Sequence, residues 1–133
     1  MSYVLEAREE ANRLESQAEI PQYSLRRELE SITLYEKDRV LDAGCGSGLL
    51  CRYLAKNYND LIIDGVDFSD LRIKQAQNIL KGTSSEKLIN YSRANLESLE
   101  VENNTYDHII SRYVFEHLLE PQVVSDELFR VCK

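Results

Sequence analysis

No run of apolar residues in this chain approaches the ~18 that a bilayer span requires, and the opening MSYVLEAREE lacks the apolar stretch of a secretory leader. The expectation is a cytoplasmic protein with no membrane partner. Proline and glycine are scarce, 2 and 5 in 133 residues, which excludes collagen-like repeats and Pro/Gly-rich low-complexity tracts. Cys45, Cys51 and Cys132 are odd in number and form no C-x-x-C pair. Neither a disulfide framework nor a thiolate metal site is therefore indicated, and no metal is expected. Positive charge is also short: 16 Lys and Arg against 23 Asp and Glu leave a net charge of −7 and no basic stripe to neutralise phosphates. Nucleic acid is not an expected partner.

What is present is the mix of an ordinary globular chain, 43% hydrophobic and 29% charged, with room for one core. Val4, Ala7, Ala11, Leu14 and Ala18 alternate at steps of three and four, the apolar stripe of a helix. Pro21 ends that helix or opens another carrying Leu25, Leu29 and Ile32. Residues 1–38 thus read as a helical cap and 39–133 as a core. In the core the period changes repeatedly. Arg39 to Ala43 predicts a strand, Leu49 to Tyr58 a helix and Leu61 to Asp67 a second strand. A helix carrying Leu71, Ala76 and Ile79 follows, closed by Gly82. Leu88 to Arg93 and Tyr106 to Ser111 predict two further strands, and Pro121 opens a last helix with Val124, Leu128 and Val131 on one face. Alternating strands and helices predict an α/β fold with a mostly parallel sheet.

Between the first strand and its helix stands Gly44-Cys45-Gly46-Ser47-Gly48. Strand, glycine loop and helix in that order place a helix N-terminus and unhindered backbone at a ligand. The spacing is G-x-G-x-G. A nicotinamide or flavin site of the G-x-G-x-x-G kind would need glycine where Leu49 stands. Asp67 ends the second strand about 20 residues on, where a carboxylate can accept from both hydroxyls of a ribose. The same carboxylate could cap the next helix, although Ser69 and Asp70 lie nearer to that task.

These stretches resemble the class I S-adenosylmethionine-dependent methyltransferases acting on small molecules. VLDAGCGSG is similar to the family's first motif, GVDFSD to its second-strand motif and ANLESLEVENNTYDHIISR to its third and fourth. YVFEHLLEP resembles the segment that follows them, and DELFRVCK the helix before a Pro-Gly-Gly turn. EANRLESQAE looks like a leading helix folded over the cofactor. The resemblance implies a Rossmann-like sheet with first strands in the order 3-2-1-4, helices on both faces and N-terminal helices over the cofactor site. It implies S-adenosylmethionine as cofactor, S-adenosylhomocysteine as product and a small-molecule methyl acceptor.

Carried over by position, Gly44, Cys45, Gly46 and Gly48 would lie against the methionine part of the cofactor, and Asp42 would reach its amino end. Asp67 would hold the ribose, Phe68 would lie along the adenine, Asn95 would accept from the adenine amino group and Leu96 would offer its backbone N–H. Ser111 would face the sulfonium. Asn95 stands where the family commonly has Asp, keeping an acceptor and losing a charge. The catalytic base, where the acceptor needs one, would be His117 or Glu116, against the reading of His117 as a structural helix residue. Arg13 and Gln17 could touch cofactor or substrate or sit on a solvated face, and His108 reads as a plain strand residue.

The family also continues past the position of Lys133 with further strands, so the resemblance implies a chain incomplete at its C-terminus. It leaves the fourth strand as an exposed edge open to homodimerisation. A non-catalytic cofactor-binding or interaction module is the other reading.

Overall fold

The computed structural model describes residues 25–133; the stripe from Val4 to Ala18, Arg13, Gln17 and Pro21 lie outside the described residues. The first described element is helix α1 (Leu25–Leu29). Both its leucines are buried in the main core, and Ile32 lies just beyond the helix, packed against the same cluster.

Strands β1 (Arg39–Ala43), β2 (Ile62–Asp67), β3 (Ile89–Arg93) and β4 (His108–Ile110) form a sheet in the order β3-β2-β1-β4. Every pairing is parallel, with Asp42 opposite Gly65 and Ile110, and Gly65 opposite Tyr91. Helices α2 (Leu49–Asn57), α3 (Asp70–Leu80) and α4 (Pro121–Val131) complete the chain, with a 3-10 turn at Phe115–His117. The predicted order 3-2-1-4 is the observed one.

Alternation along β1 separates two cores, as the period of two demands. Val40 packs with Leu29, Leu54 and Ile73 on the face covered by α1, α2 and α3. Leu41 and Ala43 pack with Leu96, Val124 and Val131 on the face covered by α4. The wheel of α4 explains its docking: Val124, Leu128 and Val131 are buried, while Phe129 is 83% exposed. Pro121 sits in its first turn, where a missing N–H costs nothing. Ser69, not Asp70, caps α3, its hydroxyl accepting from Arg72 N at 3.3 Å.

The fourth strand is shorter than the predicted Tyr106–Ser111, and its outer side is not left open over that length. Tyr106 pairs in parallel with Cys132 instead. Its N–H donates to Val131 O at 2.9 Å, and its carbonyl accepts from Lys133 N at 2.8 Å. The expected long edge is thus reduced to His108–Ile110, because the chain after α4 returns beside Tyr106.

Candidate functional site

Because all four strands are parallel, the residues following Ala43, Asp67, Arg93 and Ile110 share one edge of the sheet. The order reverses at β1, the position at which open parallel sheets generally form a crevice between neighbouring connections. The sequence candidates fall on that edge for this reason.

The glycine loop turns on positive φ angles of 85°, 56° and 90° at Gly44, Gly46 and Gly48, a region that penalises any side chain. Gly44 N and Cys45 N both donate to Val66 O, at 2.8 and 2.9 Å, fastening the loop to β2. Gly46 N donates to Asp67 Oδ2 at 2.8 Å. Asp67 Oδ1 accepts from Ser69 N at 2.9 Å, and the residue is 0% exposed. Asp67 is therefore a brace between the glycine loop and the start of α3.

Gly48 has a packing reason as well. A Cβ there would stand 2.1 Å from the Tyr91 hydroxyl oxygen, which donates to Gly48 O at 3.3 Å. The ring of Tyr91 lies across Gly65, where a Cβ would meet ring carbons at 2.8 and 2.9 Å. Burial pushes the Tyr91 hydroxyl well above its ordinary range. Beneath the loop, Asp42 is buried and accepts a weak bond from Cys51 Sγ at 3.5 Å. Burial raises its carboxyl to about 7, against the lowering by Cys51 and by the Arg112 charge and with a further push from Asp67. The Cys45 and Cys51 thiols are pushed up chiefly by burial and next by Asp42, so both stay protonated.

On the other side of the edge, Phe68 is half-buried with the Arg93 guanidinium 5.0 Å from its ring centre, and Arg93 Nε donates to Phe68 O at 2.9 Å. Asn95 Oδ1 already accepts from Glu97 N at 2.9 Å, while the Leu96 side chain is 0% exposed and anchors that turn in the second core. A groove of about 610 Å³ runs from Phe68 and Asn95 down the sheet to Asp64 and Tyr106. Past β4, the Ser111 hydroxyl is buried with no hydrogen-bond partner.

Glu116 and His117 sit on the 3-10 turn after β4 with a long contact of 3.9 Å, their side chains 56% and 36% exposed. His108 stands at the opposite end of the sheet, its Nε2 3.1 Å from Asp38 Oδ2. It opens β4, a strand residue as the sequence reading has it. Among the described residues no group of His, Cys, Asp or Glu could hold a metal ion.

Four residues that motif reasoning did not single out complete the picture. Tyr91 fills the space over Gly65, and Cys51 donates to Asp42. Arg112 donates to both carboxylate oxygens of Glu28, at 2.6 and 3.2 Å, joining β4 to α1. A glycine inside β2 was the one sequence signal for any of these, because it calls for a bulky neighbour close to the backbone.

The residue types at this edge, a glycine loop, two buried carboxylates and a buried hydroxyl with no hydrogen-bond partner, fit the methionine and nucleoside parts of the cofactor that the resemblance implies. The methyltransferase domain family matches residues 41–133 of the chain. A ubiquinone biosynthesis O-methyltransferase of Coxiella burnetii is 38% identical over 93 residues, 70% of this chain and 38% of that protein. An ajmaline N-methyltransferase of Rauvolfia serpentina is 27% identical over 93 residues, 70% of this chain and 32% of that protein. Among solved structures, a putative S-adenosyl-L-methionine-dependent methyltransferase of Methanococcus maripaludis superposes with a TM-score of 0.82. It does so at 20% identity, covering 100% of this chain and 62% of that one. The chain thus spans less than two fifths of the length of these curated relatives.

Proposed function

The chain belongs to the methyltransferase domain family, and on that premise we propose that it binds S-adenosylmethionine at the sheet edge and serves methyl transfer to a small-molecule acceptor. The observation that carries the reading is the bond from Gly46 N to Asp67, which joins loop and carboxylate into one nucleoside-binding unit. The cofactor, when bound, supplies a methyl group already carried on a cationic sulfur, so in-line placement of the acceptor is the main demand on the protein.

The residues divide that task. Gly44, Cys45, Gly46 and Gly48 admit the methionine part, Asp42 faces its amino group, and Asp67 accepts from the ribose. Phe68, Asn95 and Leu96 border the adenine, and the Ser111 hydroxyl faces the sulfur. For an acceptor that must lose a proton, His117 and Glu116 are the titratable groups beside the end of β4. The names of the two relatives specify an oxygen and a nitrogen acceptor, which supports a small molecule and leaves the atom open. A net charge of −7 speaks against nucleic acid, and no helix of the described residues is long and apolar enough to cross a membrane. We place the protein in the cytoplasm, with the outer edge of β4 as the strand surface offered to a second copy.

Calorimetric titration of S-adenosylmethionine, S-adenosylhomocysteine and NAD into the folded chain tests the reading. The first two bind and NAD does not. A folded chain that takes up neither, or prefers NAD, overturns it.

A further inference from the structure

The turn that carries Asn95 and Leu96 is fastened at both of its ends. Upstream, Ala94 N donates to Asp67 O at 2.9 Å, tying the end of β3 to β2. The turn itself is tight: Ser98 N donates to Asn95 O at 3.1 Å, and Asn95 Oδ1 accepts from Glu97 N at 2.9 Å. Downstream, both backbone polar groups of Leu99 are taken by side chains of α4, 28 and 31 residues further along the chain. Leu99 N donates to Glu127 Oε2 at 2.5 Å, and Leu99 O accepts from Arg130 Nη2 at 3.0 Å. Arg130 Nη2 also donates to Glu127 Oε2 at 2.8 Å, which closes the three residues into one hydrogen-bonded ring.

The ring is held rigidly. Arg130 Nε adds a bond to Glu127 Oε1 at 2.7 Å, so the guanidinium meets the carboxylate side-on and is fixed in plane. Its Nη1 donates to Val101 O and Asn103 Oδ1, both at 2.8 Å. The Glu127 side chain is 13% exposed, and a pair so sheltered is screened less than one on the open surface. Leu96 is buried in the second core with Leu99, Val124 and Leu128, so α4 supports the turn by packing as well. Apolar packing has no direction, whereas the bonds to Leu99 set the direction of the backbone that leaves the turn.

We propose that Glu127 and Arg130 are positioning residues for base recognition: by holding Leu99 through both its N–H and its carbonyl they set where the Asn95 amide and the Leu96 N–H point, and with them the selection of adenine. The role rests on the reading that Asn95 and Leu96 border the adenine. A hydrogen bond weakens steeply once donor and acceptor are turned apart, so a turn held only at Ala94 and by apolar packing still admits the base but selects it poorly. The Asn95 oxygen, bound by Glu97 N, cannot change places with the amide nitrogen without losing that bond. The choice of base is thus set in part from the last helix.

Base selectivity separates this role from an ordinary fold contact. S-adenosylhomocysteine and S-inosylhomocysteine share the ribose and the amino-acid part and differ at the base edge, where the amine becomes a carbonyl oxygen and the neighbouring ring nitrogen gains a hydrogen. The inosine ligand therefore mismatches both the Asn95 oxygen and the Leu96 N–H. Calorimetric titration of both ligands into wild type, Arg130→Met and Glu127→Gln, each checked for folding by circular dichroism, reads the ratio of affinities. Wild type should favour the adenosine ligand by about 30-fold or more, and each variant should narrow that ratio by roughly three- to tenfold, with the inosine ligand little affected. In a folded variant, equal losses for both ligands or an unchanged ratio overturn the proposal, as does a wild type that binds the two alike. Should Arg130→Met not fold, Glu127→Gln decides by the same ratio. A wild type that binds neither ligand overturns the function reading and the proposal with it, whereas a wild-type preference that survives in the variants overturns the proposal alone.

Discussion

Asp42 lies in the core with its carboxyl raised to about 7 by burial, so between its ordinary value and that figure the folded chain holds a proton the unfolded chain has released. Stability falls as pH rises through that window and levels off above it. Asp42→Asn removes the penalty while keeping an acceptor for Cys51. Urea denaturation should find the variant more stable than wild type at pH 8, by roughly 2 to 4 kcal/mol, with the difference vanishing near pH 4. Its affinity for S-adenosylmethionine should fall at the same time, the usual exchange of stability for a site charge. Asp67 is the opposite case, because its oxygens already serve Gly46 N and Ser69 N. Asp67→Ala should weaken cofactor binding by roughly 2 to 4 kcal/mol, at ~1 to 2 per charge-assisted bond. It should also destabilise the chain by about 1 to 3 kcal/mol, because two donors lose their acceptor. Calorimetry and denaturation separate the two effects, and unchanged affinity would remove the ribose assignment.

At the scale of elements, the glycine loop is a packing solution as much as a ligand cradle. Gly48→Ala places a methyl against the Tyr91 hydroxyl on a backbone with φ of 90°. The variant should lose about 1 to 3 kcal/mol. Tyr91→Phe in the same chain should return only part of it, since the ring carbon at 2.8 Å stays in place. A double-mutant cycle by denaturation measures the coupling.

This pair also shows where sequence reasoning stops. The loop was legible because strand, glycines and helix are consecutive, and α3 and α4 were legible from their apolar spacing and from Pro121. Ser69 as cap followed from local chemistry. Tyr91 over Gly48 and Glu28 with Arg112 were not legible, because 43 and 84 residues separate the partners and only the folded sheet brings them together. Strand β4 was predicted too long for the same kind of reason: Tyr106 fits a strand pattern, yet it is spent on pairing with Cys132.

For the whole molecule, the connection from β3 to β4 is held without a helix of its own. Arg130 on α4 donates to Leu99 O, Val101 O and Asn103 Oδ1, and Glu127 accepts from Leu99 N at 2.5 Å and from Arg130. The bond from Arg130 and then that from Leu99 N hold the Glu127 carboxyl below its ordinary range, against some desolvation. Its contribution is complete above that ordinary range and is lost as pH falls through the lowered value. Acid should therefore loosen residues 95–105 before the sheet, read as earlier loss of amide protection there in hydrogen exchange. Arg130→Met should produce the same loss at neutral pH. Taken with Asp42, which penalises high pH, the stability maximum of the chain should lie on the acid side of neutrality.

The ring of Tyr91, laid over Gly65 and reaching Gly48, has a bearing on descent. Three positions on β2, β3 and the loop share one volume, so no one of them is free to drift alone. A lineage that replaces Tyr91 with a small residue gains room for a side chain at position 65, and one that keeps the ring must keep both glycines. Among related sequences the identities at 48, 65 and 91 should therefore change together, as an inherited unit.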